Sequence, residues 1–101
     1  MNYVVAMRPR LLTVDESTTL LARIPQWTSD GQGISRSFTA ATFLQVITWV
    51  VAIAEIAEEA DHHPDLDIRW TTLIVRLTTH DQSGLTHLDF DLAIAIDGIC
   101  C

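Results

Sequence analysis

The residues of this chain best suited to chemistry lie in Asp61-His62-His63-Pro64, with Glu58 one helical turn before and His80 and Asp89 beyond. These three histidines, of four in the chain, thus share about a third of the sequence with an acidic cluster and a helix-stopping proline. Imidazole titrates nearest neutrality of all side chains, so such a cluster suits proton transfer. His62 falls at the C-terminal end of a predicted helix, where the helix dipole favours positive charge. Glu58, four residues earlier, is expected on the same helix face as His62, and Asp61 is adjacent. All three influences favour a protonated imidazole, with burial opposing them, which makes His62 a proton donor near neutral pH. Pro64 pushes His63 toward extended geometry, so the two rings should point differently and meet different parts of one ligand. His80 ends a predicted strand on the alternating face of Ile74, Arg76 and Thr78, from which folding could bring it to the helix end.

Each of these residues also has a purely structural reading. Histidine at a helix C-terminus is commonly a favourable cap, and His-Pro commonly a stop signal. The default role of Asp89 is to cap its own helix. His87 reads as solvated, Glu55 and Glu59 as a solvated face, and Trp27, Trp49 and Trp70 as core or interface. A metal site is disfavoured: His62 and His63 are adjacent rather than three residues apart, and neither HExxH nor a spaced cysteine pair is present.

The elements that must position these groups follow from caps, breakers and periodicity. Thr13-Val14-Asp15-Glu16 reads as a capping box opening a helix that runs to about Arg23 and ends before Pro25. Trp27 and Thr28 begin a short strand, residues 29–33 turn, and Ile34 to Phe38 is the hairpin partner. Thr39 is the expected cap of a long helix from Ala40 to Asp61. Its polar face is Thr42, Gln45, Thr48, Ala52, Glu55 and Glu59, and Phe43, Val46, Ile47, Val50, Ala54 and Ala57 lie opposite. Trp49, Ile53 and Ile56 form a second apolar stripe, and a helix apolar around so much of its girth in a small domain predicts a homo-oligomer. Leu66 to Trp70 and Thr72 to Thr79 read as strands, with Leu73, Val75 and Leu77 on a fully apolar face. A turn over 81–84 leads to a second capping box at Thr86, with Asp89 in the Glu position, and a last helix to about Asp97 closed by Gly98. The order α-β-β-α-β-β-α predicts an α+β fold: a four-stranded antiparallel sheet with three helices on one face.

Composition narrows the function. One domain is expected over 1–101, with its core at about 11–97, since 101 residues and 49% apolar side chains support one modest core. The chain has no lysine and a net charge of −7, and its arginines (8, 10, 23, 36, 69 and 76) form no stripe, so nucleic-acid binding is disfavoured. No run is long enough to span a membrane, and Tyr3 to Met7 is too short for a signal-peptide core. Residues 1–10 carry no periodic signal, and Met7 is a candidate start. Cys100 and Cys101, adjacent and terminal, cannot easily close a normal disulfide and read as free thiols on a frayed tail. Free thiols fit a reducing, cytoplasmic location.

Taken together, Glu58, His62-His63-Pro64, Trp70, His80 and Asp89 resemble the signature of the pterin-4a-carbinolamine dehydratases, with every spacing matched. Thr79-His80, Ser83-Gly84-Leu85-Thr86 and Trp27 are similar to the family too, and the resemblance spans about Leu11 to Asp97. Departures lie in residues 67–72, in Trp49 and the β-branched residues of the long helix, and in the lack of lysine. The resemblance implies a dimer or tetramer, no metal or bound cofactor, and dehydration of 4a-hydroxytetrahydropterin to quinonoid dihydropterin, which recycles the cofactor of aromatic amino-acid hydroxylases. It implies His62 and His80 as the proton-transfer pair and His63 as the pterin-binding residue. Glu58, Asp61, Pro64 and Asp89 would bind or orient. Two other readings stay open: a non-catalytic interaction module that helps a transcription factor dimerise, and a pterin-binding protein of another pathway.

Overall fold

The computed structural model describes residues 9–101; the Tyr3–Met7 stretch, the candidate start at Met7 and Arg8 lie outside the described residues. The first helix, α1 (Val14–Leu21), starts at the expected capping box: Thr13 Oγ1 accepts from the Glu16 N–H at 3.1 Å, and Glu16 Oε1 accepts from the Thr13 N–H at 2.9 Å. It ends two residues before Arg23, because the amides of Arg23 and Ile24 turn back to the carbonyls of Leu20 and Leu21 at 3.0 Å each. The chain is thus already out of the α-helix where Pro25 disfavours it.

Strands β1 (Thr28–Ser29) and β2 (Ile34–Thr39) form an antiparallel hairpin. Asp30 organises its turn, taking the amides of Gln32 and Gly33 on one oxygen and Arg76 Nη2 at 2.8 Å on the other. The Arg76 guanidinium and these two amides hold the Asp30 carboxyl down at about 2. A Cβ at Gly33 would meet Arg76 Cζ at 2.6 Å, so a larger residue there would push the guanidinium away from its place beside Asp30.

Thr39 does not cap the long helix. It is the last residue of β2, opposite Thr72, and the Ala40 N–H donates to the Thr71 carbonyl at 2.8 Å, so sheet pairing holds the chain extended past it. Thr42 caps instead, accepting from the Gln45 N–H at 3.1 Å, and α2 is Phe43–Ala60. Its buried line is Val46, Ile53 and Ala57, drawn from both expected apolar stripes, with Trp49, Val50 and Ile56 half-buried beside it. Phe43, Leu44 and Val51 are exposed.

Strands β3 (Asp65–Arg69) and β4 (Thr72–Leu77) complete a four-stranded antiparallel sheet in the order β1-β2-β4-β3. Leu73, Val75 and Leu77 are fully buried, as the alternation predicted, and pack with Ile34, Phe38, Val46, Ile53, Phe90, Ala93 and Ile96. Trp70 is not a strand residue. Pairing of Arg69 with Thr72 leaves Trp70-Thr71 as a two-residue hairpin loop, and Trp70 takes the positive φ (56°) that such loops demand, with 79% exposure.

The last helix, α3 (His87–Cys100), runs past Gly98 rather than closing there. Its final turn is held from the side: Asp97 Oδ1 accepts from Trp27 Nε1 at 2.9 Å and from Arg36 Nη1 at 2.8 Å, with the Arg36 guanidinium 4.4 Å above the Phe38 ring centroid. The end is therefore no frayed tail. Cys100 is half-buried, which pushes its thiol up to about 11, and Cys101 Sγ lies 3.5 Å from Arg36 Nη2. The three α-helices and the sheet give the α+β order predicted above. No helix among the described residues is long and apolar enough to cross a membrane.

Replacing Asp97 by Ala removes the acceptor for the Trp27 indole and leaves the half-buried Arg36 guanidinium unpaired. A loss of about 2 kcal/mol is expected, and less for Asp97→Asn, which keeps an acceptor. Urea unfolding followed by tryptophan fluorescence measures both.

Candidate active site

Asp61, rather than Pro64, ends α2. Asp61 is left-handed (φ 50°), its N–H donates to the Glu58 carbonyl at 3.2 Å, and the His62 N–H donates to the Ala57 carbonyl at 3.1 Å. These two backward bonds are the Schellman closure, with aspartate where glycine is usual. The left-handed residue swings the following chain off the helix axis, which corrects the expected pairing: Glu58 does not hold His62. Its Oε2 meets His63 Nε2 at 2.5 Å on the exposed surface, while the His62 ring turns inward. Asp61 itself is exposed, and Pro64 is half-buried where the chain enters β3.

His62 is buried, with 8% exposure, and its Nε2 lies 2.7 Å from Oδ1 of Asp89, which is fully buried. The other Asp89 oxygen, Oδ2, accepts from the Thr86 N–H at 2.9 Å and from the Thr79 hydroxyl at 2.9 Å. Asp89 therefore does both things open to it: one oxygen completes the capping box of α3, and the other holds His62. An isolated buried carboxylate would cost several kcal/mol. The two donors to Oδ2 and the His62 contact at Oδ1, each worth about 1.5–3 kcal/mol to a charged group, offset that cost.

His80 begins a 3-10 turn, His80–Gln82, rather than extending the alternation of β4, which ends at Leu77. Its loop is clamped at the base, where the Thr79 N–H donates to the Gly84 carbonyl at 2.9 Å and the Gly84 N–H returns to Thr79 at 3.4 Å. Ser83 closes it in the left-handed region, its N–H donating to the His80 carbonyl at 3.1 Å. The His80 side chain is exposed. Since Thr79 is its chain neighbour and bonds Asp89, the His80 loop and the α2 end hang from the same carboxylate. His87 pairs with Asp91 at 3.1 Å on the surface, as its solvated reading implied.

Sequence reasoning assigned no role to Thr79, although a signal existed. Thr79 continues the 73, 75, 77 series of inward-facing residues, and a buried hydroxyl there must find a partner. A cavity of about 390 Å³ between α1, the β1–β2 turn and the Ser83-Gly84 loop is lined by Leu12, Leu21, Leu85 and Phe90 among others, and by none of the three histidines. Among the described residues no three His, Cys, Asp or Glu side chains are grouped to hold a metal ion.

Residues 10–99 match the family model described as pterin 4 alpha carbinolamine dehydratase. A Nocardia farcinica protein carrying that enzyme name provisionally is 46% identical over 91 residues, covering 90% of this chain and 96% of the relative. A Mycobacteroides abscessus protein of the same provisional name is 47% identical over 87 residues, covering 86% and 93%. Among solved structures, a transcriptional coactivator/pterin dehydratase from Brucella melitensis matches with a TM-score of 0.86 at 31% identity, over 91% of this chain and 100% of the other. A pterin dehydratase-like RuBisCO assembly factor of the α-carboxysome shares the fold, with a TM-score of 0.62 at 17% identity over 73% and 86%.

The helix closure at Asp61 predicts a split between two substitutions. Asp61→Val, β-branched in a left-handed position, is expected to lose about 1–2 kcal/mol. Asp61→Gly is expected to match or exceed the parent's stability. Thermal unfolding of the pair checks this, and equal midpoints would mean the left-handed turn is not required.

Proposed function

We propose that this chain, which belongs to the pterin-4a-carbinolamine dehydratase family, removes water from 4a-hydroxytetrahydropterin by histidine acid–base catalysis. It is a hydro-lyase of that family. In the reaction the C4a–O bond breaks, the oxygen leaves as water after gaining a proton, and the neighbouring ring nitrogen gives up its proton to form the C=N bond. One donor and one acceptor suffice, each contributing about 10²–10⁴-fold. The observation that carries this reading is the suspension of His62 and the His80 loop from one buried carboxylate, which places two imidazoles on a common support.

In this reading His62 and His80 exchange the protons. His63, exposed and paired to Glu58, binds and orients the pterin, with Glu58, Asp61 and Pro64 shaping its approach. Asp89 orients His62. No metal or bound cofactor enters, and the product is quinonoid dihydropterin, returned to the tetrahydropterin pool of an aromatic amino-acid hydroxylase in the cytoplasm. The assembly is a homo-oligomer built on the outer face of α2, where Phe43, Leu44 and Val51 are exposed on a chain of net charge −7. An interaction module is the second reading; that same apolar face supports it, as does the coactivator role named for the Brucella melitensis protein.

Stopped-flow dehydration of synthetic 4a-hydroxytetrahydropterin tests the function. His62→Ala and His80→Ala should each lose at least about 10²-fold in kcat while keeping the fold. Parent-like turnover in both would sink the catalytic roles, and no rate above background in the parent would leave the interaction module. Sedimentation velocity tests the assembly: Leu44→Glu should shift an oligomer toward monomer, and a monomeric parent would overturn the α2 interface.

A further inference from the structure

Asp89 holds His62, but a lone carboxylate can rotate about its side-chain bonds and present either oxygen or either lone pair. Two further donors fix it. Oδ2 receives two donors, the Thr86 N–H and the Thr79 hydroxyl, from two different elements. The Thr79 hydroxyl has one proton and gives it to Asp89, so the 2.7 Å contact between Thr79 Oγ1 and Thr86 Oγ1 is made by the Thr86 proton. Thr86 Oγ1 in turn accepts from the Leu88 N–H at 3.3 Å. The hydrogen bonds therefore run in one direction: Leu88 amide to Thr86 hydroxyl, Thr86 to Thr79, Thr79 to Asp89. Thr79, Thr86 and Asp89 are all buried, so water is excluded as a substitute donor. Two donors on Oδ2 suit an ionised carboxylate, which only accepts, so the proton of the 2.7 Å contact at Oδ1 is assigned to His62 Nε2.

We propose that Thr79 is a positioning residue: its hydroxyl fixes the Asp89 carboxylate, and through it the Nε2–H tautomer and ring plane of His62, leaving Nδ1 as the nitrogen that exchanges a proton with the substrate. In the neutral Nε2–H form Nδ1 carries a lone pair, so His62, expected from the sequence to donate, instead takes the proton from the pterin ring nitrogen, and the buried carboxylate stabilises the imidazolium that forms. His80, exposed on its clamped loop, is then the group that protonates the leaving oxygen. This assignment of roles rests on the dehydratase reading; the tautomer does not.

The test uses the full chain and two readouts. Imidazole nitrogen chemical shifts should show His62 of the parent as one tautomer, protonated at Nε2. Thr79→Val should give a mixed tautomer and a kcat lower by about 10–100-fold, the usual loss for a partner that orients an active group, with KM little changed. Thr79→Ser, which restores the hydroxyl, should recover both. Should Thr79→Val fail to fold, Thr79→Ala takes its place in the same comparison. A single Nε2–H tautomer persisting without the hydroxyl overturns the proposal, as does an Nδ1–H tautomer in the parent or failure of Thr79→Ser to recover. Absence of dehydratase activity in the parent would overturn the reaction assignment instead, while the nitrogen shifts would still report on Thr79.

Discussion

The buried carboxylate of Asp89 is the point on which this site depends. It gathers hydrogen bonds from three places: the chain just past α2 through His62, the chain just past β4 through Thr79, and the cap of α3 through Thr86. Each hydrogen bond is modest alone, but the cost of burying the charge makes them interdependent. Losing any one donor leaves part of a desolvated carboxylate unmet, at about 1–3 kcal/mol or more. The helix, sheet and loop that carry the histidines are thereby locked to one another by a group that none of them could bury alone. Hydrophobic packing of Leu77, Phe90 and Ala93 brings the elements together without fixing a direction. The carboxylate supplies the direction.

A second constraint acts on the backbone. Two adjacent histidines on a continuing helix would be about 100° apart and would share solvent. The left-handed Asp61 breaks that relation, sending His62 into the interior and His63 toward Glu58. That conformation costs a non-glycine residue about 1–2 kcal/mol. It is held by the two closing backbone bonds and by the His62–Asp89 contact beyond it, so local strain and the buried pair support each other.

Much of this was legible in the sequence, and the misses share a cause. The capping boxes at Thr13 and Thr86, the alternation in β4 and the element order are local patterns, and each holds in the structure. Thr39 failed as a cap because β2 continues to pair with β4 across it, and Gly98 failed as a stop because Asp97 is tied to Trp27 and Arg36 far away in sequence. Trp70 moved from strand to loop for the same kind of reason, since the register of Arg69 with Thr72 decides where the hairpin turns. The spacing of Glu58 to His62 suggested a helical pair, but that rule holds only while the helix persists, and Asp61 ends it one residue too soon. The resemblance implied that Asp89 binds or orients, but its pairing with His62 was not legible. The local pattern showed the cap, whereas the His62 partner lies 27 residues away and depends on how α2 and α3 pack.

The two histidine–carboxylate pairs differ in a way that matches a division of labour. His63 and Glu58 are both exposed, and a pair in that setting contributes about 0–1 kcal/mol, so it opens at little cost when a ligand needs either partner. His62 and Asp89 are buried, and their separation would leave an uncompensated charge in the interior, so that contact persists through binding. A ring that must transfer a proton repeatedly needs a fixed geometry, and a residue that must admit and release a flat heterocycle needs a loose one. The left-handed turn between Glu58 and His62 gives one short segment both properties. It leaves the first histidine in the protein's interior and the second in water.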